Sequence, residues 1–335
     1  MKGFNQPYWR NSHRCYYLNV DGKQVRLAPD KALAYAMWHQ MMSQNEPQKW
    51  PNSTLEEVVY KFLASLNVTR SPRTYTWYKD FLRFFVKHLG KNGAVNVKPS
   101  AITELVMSQK NWGPNTKHNA IRCLKRIYKW AKQNGVIDTN PIEHLERPPQ
   151  EARETCVTPE QMATIEATLP DGPFRDLLTL AWDTGMRPEE LFRLEAGYVS
   201  KDGHQIDFPA KVGKGKRHRT VFVGTDRSVA ILVGLIARYP DGKLLRNTKG
   251  LPWDKNSVNC AFMRLRKKIN FEVHLGALRK GFCTEALKAG IDTVTVAHLM
   301  GHADVTMVSR VYGKVAQDKS WMAEAARRAK RHATD

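Results

Sequence analysis

The stretch HLMGHADVTMVSRVYGK, residues 298–314, holds two histidines, a glycine break, and then a segment ending on Tyr312. Asp292 can cap a short helix through VTVAHLM that stops at Gly301. Asp304 can open a second helix leading to Tyr312. His298 and His302 are four residues apart, a spacing that suits a zinc-binding helix. That pattern also needs a glutamate after the first histidine, and Leu299 stands there. Two satisfied structural histidines are the other reading of the pair. The rest of the chain has to decide what Tyr312 is for.

The chain has 335 residues, enough for two or three domains. Its 53 Lys and Arg outweigh 32 Asp and Glu, a net charge of +21. A surplus that large points to a polyanionic partner, through counterion release and long-range steering. No apolar run is long enough to cross a membrane. The opening MKGFNQPYWRNSHR lacks the apolar core of a signal peptide. Cys15, Cys123, Cys156, Cys260 and Cys283 are scattered and odd in number, so reduced thiols in a cytoplasmic protein are expected.

Residues 8–28 read as strands around the turn Asp21-Gly22. Asp30 can cap a helix over KALAYAMWHQMMSQ, with Leu33, Met37 and Met41 on one face. Residues 1–45 thus form a small sheet with one helix, and 46–52 (EPQKWPN) read as a linker. A helical region spans 53–145 and opens with a capping-box pattern from Ser53 to Glu56. In TYTWYKDFLRFFVKHLG, Tyr75, Tyr78, Leu82 and Phe85 make one apolar row, with Trp77, Phe81 and Phe84 beside it; both read as core. Lys79, Arg83 and Lys87 share a face. A second basic helix carries Lys117, Arg122, Lys125, Arg126, Lys129 and Lys132, with no acid between 110 and 137. Either face suits phosphate contact or plain solvation; the one-signed second helix favours an anionic partner.

NPIEHLERPPQEARET (140–155) reads as the main linker, stiffened by Pro148-Pro149. Helices dominate after it, interrupted by one strand pair, HQIDFP (204–209) and HRTVFV (218–223). Four pieces of this half can carry chemistry. In LLTLAWDTGMRPEELFRLE (177–195) an apolar helix ends near Gly185 and Pro188 opens the next. Arg187 is thereby held at a junction, either to present its fork to a phosphate or to pair with Glu190. The hairpin tip AKVGKGKRHRT (210–220) crowds Lys211, Lys214, Lys216, Arg217 and Arg219 around a turn that could enter a DNA groove; it lacks the nucleotide-binding GxxxxGK[ST] spacing. In VHLGALRKGFCTEALKAGI (273–291), Arg279 sits among core-type neighbours and needs a partner, either a phosphate or a buried carboxylate. The fourth piece is the opening stretch.

These pieces, TGMRPEEL, KVGKGKRHRTV, ALRKGFCT and LMGHADVTMVSRVYG, resemble the tyrosine recombinase (phage integrase) family in content and in order. The resemblance implies a mainly α fold with small β elements. It implies a helical core-site-binding domain at 53–145 and a mostly helical catalytic domain at 155–335, ending in a tail helix. The sheet of 1–45 resembles an arm-site DNA-binding module. The resemblance places the catalytic set on Arg187, Lys214 (with Lys211 as the fallback), Arg279, His302 and Tyr312, with Glu190 beside the first arginine. It implies no cofactor and no metal, double-stranded DNA as partner, and a homo-tetramer on paired sites. The histidine usual three residues before the second arginine is replaced by Gly276, with His274 nearby. Tyr312 stands one residue further from His302 than the family spacing.

The chemistry so implied is metal-free. The two arginines neutralise a phosphodiester while Tyr312 attacks it, giving a 3′-phosphotyrosyl link and a 5′-hydroxyl. Lys214 would protonate the leaving oxygen, with His302 assisting. The tail WMAEAARRAKRHA (321–333) is expected to be an amphipathic helix packing on a neighbouring protomer. A type IB-like topoisomerase and a DNA-binding relative that has lost catalysis are the alternatives.

Overall fold

A computed structural model describes residues 6–20, 23–31, 33–35, 37–38, 53–151, 155–212, 217–302 and 304–331. The chain divides into two compact units, 1–152 and 153–335. The division falls within the proline-rich stretch 140–155.

The first unit begins with an antiparallel sheet of β1 (Tyr8–Arg10), β2 (Cys15–Val20) and β3 (Lys23–Arg26), in the order β1-β2-β3. Tyr17 pairs with Arg26 and Leu18 with Val25, so β2 alternates a buried Leu18 with polar or half-buried neighbours. The turn expected at Asp21-Gly22 lies outside the described residues. Asp30 does cap the following segment, accepting from the Leu33 amide at 2.8 Å. The apolar face differs from the expected one. Leu33 and Met37 are exposed, whereas Ala34 is buried with Leu18, Leu27 and Ala28, and Trp38 packs against them. The inward row therefore runs one residue later than expected, and Met41 lies outside the described residues.

Four helices follow: α1 (Leu55–Thr69), α2 (Pro72–Leu89), α3 (Pro99–Met107) and α4 (Pro114–Gln133). The capping box of α1 is Thr54 with Glu57, not Ser53 with Glu56. Thr54 Oγ1 accepts from the Glu57 amide and Glu57 Oε2 from the Thr54 amide. Both spacings exist in the sequence. Ser53 is instead buried, with its carbonyl taken by the Ala94 amide at 2.7 Å. The aromatic rows of α2 are core or packed on it: Leu82 and Phe85 are buried, and Tyr75, Trp77, Tyr78, Phe81 and Phe84 lie against them. Tyr128 crosses the core to reach the Ala94 carbonyl.

The basic face of α4 is partly committed to its own unit. Lys117 donates to the Met107 carbonyl and Lys125 to the Leu145 carbonyl. Lys132 pairs with Glu143, and Arg122 lies over the Trp77 ring. Self-repulsion along this helix is therefore relieved within the chain, while Arg126 and Lys129 stay exposed.

The second unit is mainly helical with one strand pair. Its helices are α5 (Pro159–Thr168), α6 (Pro173–Thr184), α7 (Pro188–Leu191), α8 (Asp226–Arg238), α9 (Lys255–Arg266), α10 (Leu275–Lys288), α11 (Thr293–Leu299), α12 (Thr306–Val315) and α13 (Lys319–Arg331). Strands β4 (Gln205–Phe208) and β5 (Arg219–Phe222) pair antiparallel, with Ile206 opposite Val221. Helix α10 is central and packs on α6 and α12. It approaches α6 closely because residue 281 is glycine. A Cβ there would collide with Trp182 and come within 2.5 Å of the Val157 carbonyl oxygen. Buried Asp183 at the end of α6 accepts from Thr225, Arg227 and Ser228, fastening the start of α8. The mainly α architecture with small antiparallel sheets is the one expected.

Candidate active site

Three chain segments meet beside the end of α11, and each supplies an arginine. The first is the α6–α7 junction. Helix α6 stops at Gly185 in a left-handed conformation, and Arg187 becomes the residue before Pro188 of α7. The Arg187 amide donates to Glu190 Oε2 at 2.8 Å, and its Nη1 donates to Oε1 at 2.6 Å. Its Nη2 donates to the Gly301 carbonyl. The Arg-Glu pair is thus present, with Glu190 buried beneath it.

The second is α10, where buried Arg279 points at the same place. Its Nη1 donates to the Gly185 carbonyl and its Nη2 to the Met300 carbonyl, the latter at 2.6 Å. Nη2 also lies 3.1 Å from His302 Nε2. Sequence left a phosphate or a carboxylate as the partner of Arg279. What it has is carbonyl oxygens, which satisfy hydrogen bonds without cancelling charge. Burial, then Arg187, lowers the Arg279 guanidinium to about 9.

The third is β5. Arg219 was expected among the cations of the hairpin tip, but it points inward and is only 7% exposed. It donates to the carbonyls of His298 (3.1 Å) and Leu299 (2.7 Å), and its Nε lies 3.6 Å from Glu190 Oε1. Its location was readable from strand alternation. Arg219, Val221 and Val223 share one face, and both valines are buried.

His302 follows α11 through a left-handed Gly301 (φ 64°). The His302 amide reaches back to the Ala297 carbonyl and the Gly301 amide to that of His298, a Schellman end. An arginine only donates, so His302 Nε2 must accept from Arg279 and the ring proton sits on Nδ1. Nδ1 is buried without a partner. Burial, then Arg279, Arg187 and Arg219, push the imidazole down to about 4, so it is neutral at pH 7. His298 is exposed on the other side of the turn, so the two histidines do not act as a pair. Among the described residues no group of three or more His, Cys, Asp or Glu is placed to hold a metal ion.

The two remaining expected residues stand differently. Lys214 lies outside the described residues, as do Gly213, Gly215 and Lys216; Lys211 is described and exposed. Tyr312, on α12, is 39% exposed and packs edge-on against Trp321 of α13, with ring centroids 5.8 Å apart. Trp321 Nε1 in turn donates to the Lys288 carbonyl at 3.2 Å. Tyr312 lines an open pocket of about 670 Å³ with Leu287, Ile291, Ser309 and Trp321. Leu287 is eight residues beyond Arg279 on α10, roughly 12 Å along the helix. No hydrogen bond among the described residues joins the Tyr312 hydroxyl to the arginines or to His302. The tail helix thus contacts α12 of its own chain.

At position 276, a Cβ would lie 3.1 Å from His274 Cε1 and Nδ1. The His274 imidazole therefore covers the space beside Gly276. Its Nδ1 accepts from the Ala277 amide and caps α10.

Sequence comparison places this mainly helical second unit, with its arginine-histidine cluster, in a known family. Residues 156–319 match the phage integrase family. The chain belongs to that family, the tyrosine recombinases. It is 24% identical to tyrosine recombinase XerC of Bacillus pumilus, over 82% of this chain and 98% of that protein. It is 27% identical to tyrosine recombinase XerA of Thermococcus kodakarensis, over 77% of this chain and 91% of that one. Among solved structures, a Tn1549 transposon integrase in complex with circular intermediate DNA shares the fold. Its TM-score is 0.65 at 19% identity, covering 77% of this chain and 94% of that one. A lambda integrase dimer bound to a core site gives a TM-score of 0.66 at 18% identity, covering 91% of this chain and 93% of that one.

Proposed function

We propose that this chain is a site-specific DNA recombinase that cleaves and rejoins DNA through a 3′-phosphotyrosyl intermediate. The observation that carries the reading is the charge balance at the end of α11. Two guanidinium groups, Arg187 and Arg219, pair with a single carboxylate, Glu190, and buried Arg279, held by carbonyls, adds a third positive charge beside them. Like charges crowd there at a cost that an arriving phosphodiester would relieve.

In this reading Arg187 and Arg279 bind the non-bridging oxygens of the scissile phosphate. Each has N–H groups beyond those now given to carbonyls. As charge builds on the phosphoryl oxygens, the two forks stabilise it in a site shielded from water. Neutral His302 can give the phosphate one further hydrogen bond from its ring N–H, which is on Nδ1 while Nε2 accepts from Arg279. Tyr312 attacks phosphorus; the O5′–P bond breaks as the O–P bond to tyrosine forms. The tyrosine proton leaves, and the 5′-oxygen takes one up, with Lys214 as donor. The link conserves the bond energy, so attack by a 5′-hydroxyl rejoins the strand. Tyr312 has to leave Trp321 to reach the cluster, so cleavage includes a movement of α12.

Double-stranded DNA is the partner, consistent with the net charge of +21. One of the similar solved structures is a lambda integrase tetramer bound to a Holliday junction, and a homo-tetramer on paired sites is proposed here. The proposed layout is an arm-site module in 1–45, a core-site domain in 53–145 and a catalytic domain in 155–335. Among the described residues no helix is long and apolar enough to cross a membrane.

The test is to incubate the protein with sheared DNA of its host, without metal, and to sequence the denaturant-resistant adducts. Adducts joined at one recurrent junction, and absent from Tyr312→Phe, are expected. Adducts undiminished in that variant would overturn the nucleophile. Gly276 favours a second reading, a DNA-binding relative without catalysis. Salt-sensitive binding with no adduct on nicked duplexes would establish it.

A further inference from the structure

We infer that Arg219 is a positioning residue for strand cleavage: from β5 it holds the end of α11, and with it His302, in register with Arg187. The inference rests on the recombinase reading of the site.

Helix α11 has seven residues, and the carbonyls of its last turn have no donor within the helix and are met by the amides that follow it and by arginine. Four successive carbonyls at its end receive arginine. Arg219 takes those of His298 and Leu299, Arg279 that of Met300, and Arg187 that of Gly301. Two of these arginines have to re-aim when a phosphate arrives. Arg219 is the one that stays: it is not among the two that the recombinase reading gives to the phosphate, its Nη groups hold two adjacent carbonyls of one helix end, and its Nε, without a hydrogen bond, lies 3.6 Å from buried Glu190.

The fit on its other side is equally close. A Cβ at residue 301 would come within 2.6–2.7 Å of Arg219 Nε, Cδ and Cζ. Glycine is required there for its φ of 64° and also because the guanidinium lies against its Cα. The residue before His302 is thus shaped around Arg219. Glu190 Oε1 gives a second route, since it serves both Arg187 (2.6 Å) and Arg219 (3.6 Å). Moving Arg219 would shift His302 through the backbone and Arg187 through the shared carboxylate. Lysine keeps the charge but has no planar fork to bridge two adjacent carbonyls.

The experiment uses the full chain and a nicked duplex spanning the junction mapped from its own adducts. Single-turnover adduct formation is measured at saturating DNA for wild type and Arg219→Lys, with duplex affinity and thermal melting alongside. A purely structural role would lower the melting point and the amplitude but leave the rate constant of the folded fraction alone. The expected result is a rate constant down at least about tenfold, with affinity within about twofold, as misplacement of a phosphate-binding set predicts. An unchanged rate constant, lost DNA binding, or failure of Arg219→Lys to fold overturns the inference. Wild type forming no adduct would instead sink the recombinase reading.

Discussion

His302 makes the stability of the second unit depend on pH in a direction that can be worked out. Its imidazole is lowered from 6.5 to about 4, first by burial, then by Arg279, Arg187 and Arg219. The folded state therefore resists protonation that the unfolded state accepts. The stabilisation from the neutral ring is full above about 6.5 and is lost as pH falls towards 4. Taken at face value, moving from pH 7 to pH 5 costs about 2 kcal/mol through this one group. The ring is only half buried, so solvent screening reduces the expected loss to about 1 kcal/mol. Other groups titrate over the same range, so the measurement is a difference. Urea unfolding at both pH values is compared between wild type and His302→Gln, which cannot gain a proton but can still accept from Arg279. Wild type should lose about 1 kcal/mol more than the variant. Equal losses in the two proteins would refute the placement of His302 against the arginine cluster.

Glu190→Ala leaves Arg187 and Arg219 facing each other without their carboxylate, and urea unfolding should show a loss of about 3–5 kcal/mol. Gly281→Ala forces α10 off α6 through Trp182 and the Val157 carbonyl; a loss of about 1–3 kcal/mol is expected, together with slower adduct formation because Arg279 moves with α10. Trp321→Ala removes the ring that holds Tyr312. An edge-to-face contact is worth about 1 kcal/mol, so released Tyr312 should rise up to about fivefold, read as faster adduct formation by single-turnover kinetics. A slower reaction would mean that the tail helps to place Tyr312 rather than holding it back.

Most of the arginine site was legible because helix punctuation is local. Gly185 and Pro188 frame Arg187, and Gly301 ends α11 one residue before His302. Arg279 stood out as a charge on an apolar helix face. The residues that were misread depend on which of two equivalent local patterns wins in three dimensions. Ser53/Glu56 and Thr54/Glu57 both make capping boxes, and the burial of Ser53 against Ala94 decides between them. Leu33/Met37 and Ala34/Trp38 both recur at helical spacing, and the sheet takes the smaller row.

Arg219 shows a different kind of error, because grouping it by charge hid its position on a strand. Charge density marks Lys211 to Arg219 as one basic loop, whereas alternation assigns Arg219 to the face of Val221 and Val223. The two descriptions lead to opposite roles, a side chain reaching for DNA or one reaching for the end of a helix. Burying a guanidinium costs several kcal/mol unless its donors are met. The helix end beside β5 offers acceptors of that kind, the terminal carbonyls of His298 and Leu299. Tyr312 marks the limit of local reading. Its distance from the cluster follows from how α13 seats Trp321 against the end of α10, and no spacing within 298–314 carries that information. Tyr312 packs on its own tail helix while Arg187, Arg219 and Arg279 gather at the end of α11, so the proposed site is assembled in two halves. In the proposed reaction the substrate phosphate draws Arg187 and Arg279 from their carbonyls, and the movement of α12 brings Tyr312 to them.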